Sequence, residues 1–187
     1  MVFQDEHERA RLGLAFAEYR SRHPGEAATI DGFDALLRSE ADPFVRERLE
    51  GHFTASAWLV SDDGRRALLT HHRKLDRWLQ PGGHADGDRD LARAALREAR
   101  EESGLEGLRA EPAIFDLDRH WIPGHSGVPA HWHYDVRYVV RASADEDFIV
   151  SDESHALAWR DVVTLAADES ADASVRRMAG KWLEGRY

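Results

Sequence analysis

Glu98, Glu101 and Glu102 are the side chains of this 187-residue sequence whose type and spacing point most directly to chemistry. Over a helix spanning residues 88–103 they fall on one strip, in line with Leu91, Ala94 and Ala95 before them and Leu105 after. That strip borders an apolar arc of Leu91, Ala92, Ala95, Leu96 and Ala99, which has to face a sheet. Carboxylates three and four residues apart repel, and moving them toward a low-dielectric interior costs on the order of several kcal/mol per uncompensated ion. A divalent cation removes that penalty, and oxygen-only ligands suit Mg2+ or Mn2+. The same spacing also fits a solvated acidic strip paired with Arg97 and Arg100.

The segment Trp78-Leu79-Gln80-Pro81-Gly82-Gly83-His84 sets a Pro-Gly-Gly turn at the mouth of that helix. Glycines let the backbone approach a ligand and aim amides or carbonyls at it, so a backbone oxygen there could complete a metal shell begun by the glutamates. The helix N-terminus itself favours phosphate.

A second constellation rests on strand parity. Asp116, Asp118 and His120 alternate on an expected strand at 113–122, and His131, His133 and Asp135 on another at 131–141. Pairing as a hairpin puts all six on one sheet face. Three readings stand: a wetted face, a surface reading substrate hydroxyls and phosphates, or a second metal site built on His-x-His and a carboxylate. His84, beside the glycines, fits either functional version. Trp78, Trp121 and Trp132 are stacking platforms for a base or packing residues. Residues 64–84 carry Arg65, Arg66, Arg73, Lys74 and Arg77 against Asp76 alone. Arg73 or Lys74 is the candidate to reach phosphate; the alternative is a basic edge strand that discourages aggregation.

The elements that must position these groups follow from periodicity. Helical spacing over Gln4–His23 (Leu12, Leu14, Ala15, Phe16, Tyr19) stops at Pro24-Gly25, and a second helix runs over Ala27–Ser39. Asp42-Pro43 reads as a cap followed by proline in a first helical turn. A strand at 53–60, apolar on both faces, predicts a central position. The turn Asp62-Asp63-Gly64 leads to a returning strand over Arg65–His72. Further strands are expected at 113–122, 131–141 and 156–160. Val175, Met178, Ala179, Trp182 and Leu183 mark a closing amphipathic helix. The fold class is α/β (α+β): a mixed sheet covered by helices, with a helical extension over residues 1–50 and the main domain over 51–187.

Composition narrows the functions. With 35 acids against 25 bases the net charge is −10, which argues against a nucleic-acid backbone interface but not against a small phosphorylated ligand. The absence of cysteine excludes disulfides, thiolate zinc sites and cysteine nucleophiles. No apolar run approaches the roughly 18 residues that span a bilayer. Charges as early as Asp5, Glu6 and Glu8 are unlike a secretory signal, so a cytoplasmic location without membrane partners is expected.

Gly83, Arg97-Glu98, Glu101-Glu102 and Gly104-Leu105 stand at the intervals of a known box: glycine, five residues, glutamate, seven residues, then Arg-Glu-x-x-Glu-Glu-x-Gly-aliphatic. Ala99 takes the middle aliphatic place. Over about residues 52–183 the chain resembles the Nudix hydrolases, which cleave nucleoside diphosphates linked to another moiety. One position departs, because the box's first glutamate falls at Arg89, and a neighbouring aspartate, Asp88 or Asp90, is expected to substitute.

The resemblance implies a Nudix-type mixed sheet sandwiched between helices. It implies that Glu98, Glu101 and Glu102 ligate Mg2+ (or Mn2+), joined by the Gly82 carbonyl, and that Arg97 orients a glutamate. Water would attack phosphorus and break a P–O–P link, with Glu98 or a loop residue, Glu153, as general base. Arg73, Lys74, Trp78, His84, His120, His131, His133 and Asp135 are the expected substrate contacts. The expected activity is a Mg2+-dependent pyrophosphohydrolase on a small nucleotide-type diphosphate; the alternative is a non-catalytic domain that senses such ligands. The isomerase branch of the fold needs cysteine, which this chain lacks, and the acidic balance speaks against RNA cap removal. The N-terminal helices are left three roles: lid, homodimer contact or packing.

Overall fold

The computed structural model describes residues 2–73, 75–124, 127–143, 146–150 and 154–185, with side chains from residue 6 onward. Helices α1 (Val2–Arg22) and α2 (Ala27–Leu37) precede strands β1 (Gly51–Val60), β2 (Arg66–His72), β3 (Arg77–Leu79) and β4 (Gly82–His84). Helix α3 (Leu91–Ser103) follows, then β5 (Arg109–Ile122), β6 (His131–Arg141), β7 (Ser154–Asp161), α4 (Val162–Ala167) and α5 (Ala173–Leu183).

β1 is central, and all ten of its residues are buried. It runs parallel to β6 from Gly51↔Trp132 to Val60↔Arg141. Its other edge meets β4 near residues 54–56 and β2 at Val60↔Ala67. β2 therefore leaves the expected hairpin almost at once and pairs instead with β7 and β3. β5 closes the far side against β6.

The alternation of β1 sorts the layers. Phe53 and Ala55 pack with Leu91, Ala94 and Ala95 of α3 and with Phe16, Ile30 and Phe33 of α1 and α2. Trp58 and Val60, of opposite parity, pack with Val175, Met178 and Ala179 of α5. The sheet is thus sandwiched between helices, and the N-terminal helices share its core.

α3 keeps sharp ends for local reasons. The Asp90 carboxylate accepts the Arg93 N–H at 3.1 Å as N-cap, so the helix starts at Leu91 rather than at 88. Gly104 closes it at φ 67°, a left-handed residue whose N–H reaches the Arg100 carbonyl at 2.8 Å.

The Asp42-Pro43 segment differs from expectation. No helix starts there: Asp42 Oδ1 accepts the Phe44 N–H at 3.0 Å, closing a turn, and the Pro43 carbonyl is taken by the Phe53 N–H of β1 at 2.7 Å. β3, β4 and α4 were not anticipated, since three to six residues hold too little periodicity to be read. Among the described residues no helix is long and apolar enough to cross a membrane.

Candidate active site

β4 and α3 bring the glutamates against the Gly-Gly turn. The Gly82 N–H donates to Glu102 Oε1 at 2.8 Å, and Glu102 is buried at 8 % exposure. The Pro81 carbonyl bonds the Ala57 N–H of β1 at 2.9 Å. In an antiparallel ladder the next residue's N–H and C=O both turn away from that neighbour, so the Gly82 carbonyl shares the side occupied by Glu102. Glu98 is half-buried, and Glu101 lies exposed on the same strip.

Both glycines lie hard against neighbouring residues, Gly82 against β1 and Gly83 against the Glu98 carboxylate. A β-carbon on residue 83 would fall 2.6 Å from Glu98 Cδ, and one on residue 82 would fall 2.7 Å from Ser56 Cβ. The backbone at 82–83 is therefore wedged between the α3 carboxylates and the polar side of β1.

Arg97 sets the charge and position of Glu98. One guanidinium nitrogen, Nη2, donates to Glu98 Oε1 and to the His84 carbonyl, each at 2.8 Å. Burial opposes the Arg97 cation, but the hydrogen bond and charge of Glu98 outweigh it and raise its pKa. Arg97 stands beside the three carboxylates and Arg46 acts on Glu98 from further off, and oxygen donors converging on backbone that a β-carbon would obstruct fit a hard dication such as Mg2+.

The hairpin of β5 and β6 places the six polar groups on one face through the pairs Asp118↔Asp135, His120↔His133 and Ile122↔His131. Much of this row is buried rather than wetted: Asp116, His131 and Asp135 are nearly inaccessible. Asp135 accepts from Thr54 and Ser56 at 2.9 Å and from Arg137 Nε at 2.8 Å, so its oxygens are held within the protein. Asp116 accepts from Arg137, Arg177 and Lys181 at 2.7–3.2 Å. Burial alone would raise the Asp116 pKa, yet Arg177, Arg137 and Lys181 hold it below the ordinary carboxylate value. Asp118 is lowered in the same way against its own burial, by His120, Arg137 and Arg177.

At the other end of the row the histidines gather. The His133 ring lies 5.0 Å from His131, 5.1 Å from His84 and 5.5 Å from His120, and His52 of β1 joins at 5.0 Å from both His131 and His133. Burial lowers the pKa of His84 to about 4, with Arg46 adding to the effect, and lowers that of His133 further.

The remaining candidates are dispersed. Trp78 stacks on His71 at 5.0 Å, while Trp121 and Trp132 meet edge to face at 5.0 Å with Arg119 over Trp132. Arg73 donates to the Ser154 carbonyl at 3.3 Å. Arg66 and Arg77 pair with Glu146 and Asp172, so the basic segment is partly neutralised within the protein. Lys74 and Glu153 lie outside the described residues.

A family model described as the NUDIX domain matches residues 51–179. The chain belongs to the Nudix family. Its fold is similar to that of a NUDIX-family hydrolase from Clostridium perfringens (24 % identity, TM-score 0.53, covering 73 % of this chain and 98 % of that one). It is also similar to a MutT protein from Methanosarcina mazei Go1 (17 % identity, TM-score 0.57, 74 % and 96 % covered). A third similar structure is the E. coli dihydroneopterin triphosphate pyrophosphohydrolase (19 % identity, TM-score 0.55, 71 % and 95 % covered). Among curated proteins none gives a significant match. The protein is a Nudix hydrolase, of the enzyme class that acts on phosphorus anhydrides.

Within this Nudix domain the departure at Arg89 has a structural cause. Arg89 donates to Asp42 at 2.8 Å and to the Gly87 carbonyl at 3.0 Å, and its guanidinium lies 5.1 Å from the Phe44 ring. It fastens the start of α3 to the segment that follows the N-terminal helices. The expected aspartate substitute is not placed for metal: Asp88 is held bidentately by Arg93, and Asp90 caps α3 and accepts from Arg11 at 2.9 Å.

Sequence reasoning passed over two members of the polar face. Arg137 continues the parity of His131, His133 and Asp135, and His52 that of Thr54 and Ser56, so alternation alone could have found both.

Proposed function

We propose that this Nudix hydrolase is a Mg2+-dependent pyrophosphohydrolase cleaving the diphosphate linkage of a small nucleotide-type molecule by attack of water on phosphorus. The observation that carries the reading is the packing of Glu98 and Glu102 against Gly83 and Gly82, with Glu101 beside them on the same helix. Glu98, Glu101, Glu102 and the Gly82 carbonyl would hold the cation. When bound, Mg2+ supplies charge neutralisation at the anhydride oxygens and a water of lowered pKa.

The chain's own residues do the rest. Arg97 fixes Glu98 and ties it to the His84 carbonyl, so the carboxylate keeps one orientation through the reaction. Glu98 and Glu153 are the two candidates to accept the proton of the attacking water. Arg73 and Lys74 would meet phosphate from the β2–β3 segment. Of the three similar structures one is named for a substrate, dihydroneopterin triphosphate, and at 19 % identity likeness of scaffold does not choose the leaving moiety.

The test is chromatographic detection of the cleaved products (nucleoside monophosphate plus the released phosphorylated moiety or pyrophosphate) over nucleotide sugars, ADP-ribose, dinucleoside polyphosphates and nucleoside triphosphates, with Mg2+ and with chelator. Activity on at least one compound that needs Mg2+, with label from 18O water appearing on product phosphate, is the expected result. Tight binding of a diphosphate with no turnover in Mg2+ would instead make the domain a ligand sensor.

A further inference from the structure

We propose that His52, His131 and His133 form a transition-metal site, in the first instance for Zn2+, distinct from the carboxylate site on α3. Each residue offers a ring nitrogen, and the three nitrogens lie within 4.8 Å of one another. His52 and His131 are 2 % and 5 % exposed.

The ring orientations favour ligation. His52 Nδ1 lies 3.1 Å from the Arg48 carbonyl, and His131 Nδ1 lies 2.8 Å from the Pro129 carbonyl. A carbonyl can only accept, so each Nδ1 carries the proton and each neutral ring leaves Nε2 with its lone pair. Histidines that ligate metals are usually held in this way, the second nitrogen fixed by a carbonyl. His131 Nε2 faces His133 Nε2 at 3.1 Å. His52 Nε2 is buried without a hydrogen-bond partner among the described residues. An orphaned lone pair beside two more imidazoles is an expensive arrangement that a cation would stabilise.

The dimensions agree with Zn2+. Bonds of about 2.0–2.1 Å in a tetrahedron put ligand nitrogens about 3.3 Å apart, close to the His131–His133 separation. The widest separation, up to 4.8 Å, would close by about 1.5 Å on binding. Three nitrogen donors and no carboxylate in the set select a borderline cation over Mg2+. The fourth place would fall to His84, whose ring is 5.2 Å from His52 and 5.1 Å from His133, or to a water or ligand oxygen.

The experiment titrates the full-length, chelator-stripped protein with Zn2+, and separately with Co2+, in excess Mg2+. One equivalent should bind, and Co2+ should give the visible bands of a four- or five-coordinate site. His52→Gln and His131→Gln should each weaken Zn2+ binding at least about 100-fold, whereas Glu101→Gln and Glu102→Gln should leave it unchanged. Nitrogen NMR of the wild-type imidazoles gives a readout that needs no variant: Zn2+ should shift Nε2 of His52, His131 and His133. No binding to the folded wild type, or binding lost in the glutamate variants and kept in the histidine variants, overturns the proposal. So does a titration that leaves those three nitrogens unmoved.

Discussion

Gly83 and Glu98 are in direct contact across the β4–α3 junction, with no room for a side chain between them: a β-carbon at 83 would sit 2.6 Å from Glu98 Cδ. The glycine therefore sets where the carboxylate stands. Gly83→Ala should push Glu98 aside by an ångström or so and lower kcat/KM about 100-fold. Thermal unfolding, by contrast, should change little. An alanine enzyme of wild-type kcat/KM would separate Glu98 from the chemistry.

The Arg89–Asp42 pair makes a different forecast. Restoring the family residue with Arg89→Glu sets two carboxylates together and removes the cation over Phe44. The expected loss is about 1 kcal/mol, or roughly 2–4 °C in Tm, with no gain in Mg2+ affinity. Tighter Mg2+ binding in that variant would mean that position 89 belongs to the metal site after all.

Phe16, Phe33 and Phe44 surround Phe53 of β1 with ring centroids 5.2–6.3 Å away. The helices before residue 50 thus complete the core, which supports packing over a lid as their main role. Phe16→Ala should destabilise the whole domain by about 3–5 kcal/mol in one cooperative transition. Denaturant unfolding followed by tryptophan fluorescence measures this. A separate early transition of the N-terminal helices would mark them as an independent appendage.

Acid stability should follow Asp116 and Asp118. Their native pKa values are depressed, so their contribution is present above the unfolded carboxylate value and is lost as pH falls through the native values. Tm should fall steeply below about pH 4. Asp116→Asn removes the carboxylate shared by Arg137, Arg177 and Lys181, which keep Asp135, Asp118 and Glu26 as partners, at a cost of about 3 kcal/mol at neutral pH, and its acid limb should be shallower. Parallel acid limbs in the two proteins would contradict this assignment.

The long elements were legible because their patterns are long. α3 shows its apolar arc and closing glycine, and β5 and β6 show alternation over enough residues to put the polar row on one face. The glutamate strip was legible too, as charges where a helix should be apolar. The short strands around the glycines were not, although they hold the site, because three residues carry no period. The meaning of the polar row was also hidden. Asp116 is neutralised in part by Arg177 and Lys181, about sixty residues away in the chain, and Lys181 also reaches Tyr19. Nothing local in a sequence reports such a partner, so a buried ionic network reads as a wetted face.

Mg2+ affinity is the most direct test of the central claim, since this hard ion seeks the carboxylates and not the imidazoles. Calorimetry should detect Mg2+ binding to the wild-type protein. Glu101→Gln and Glu102→Gln should weaken it at least about tenfold and cut turnover by orders of magnitude, each with an unchanged metal-free Tm. Equal Mg2+ affinity in all three proteins would show that these oxygens do not hold the cation, and the proposed mechanism would fall with them.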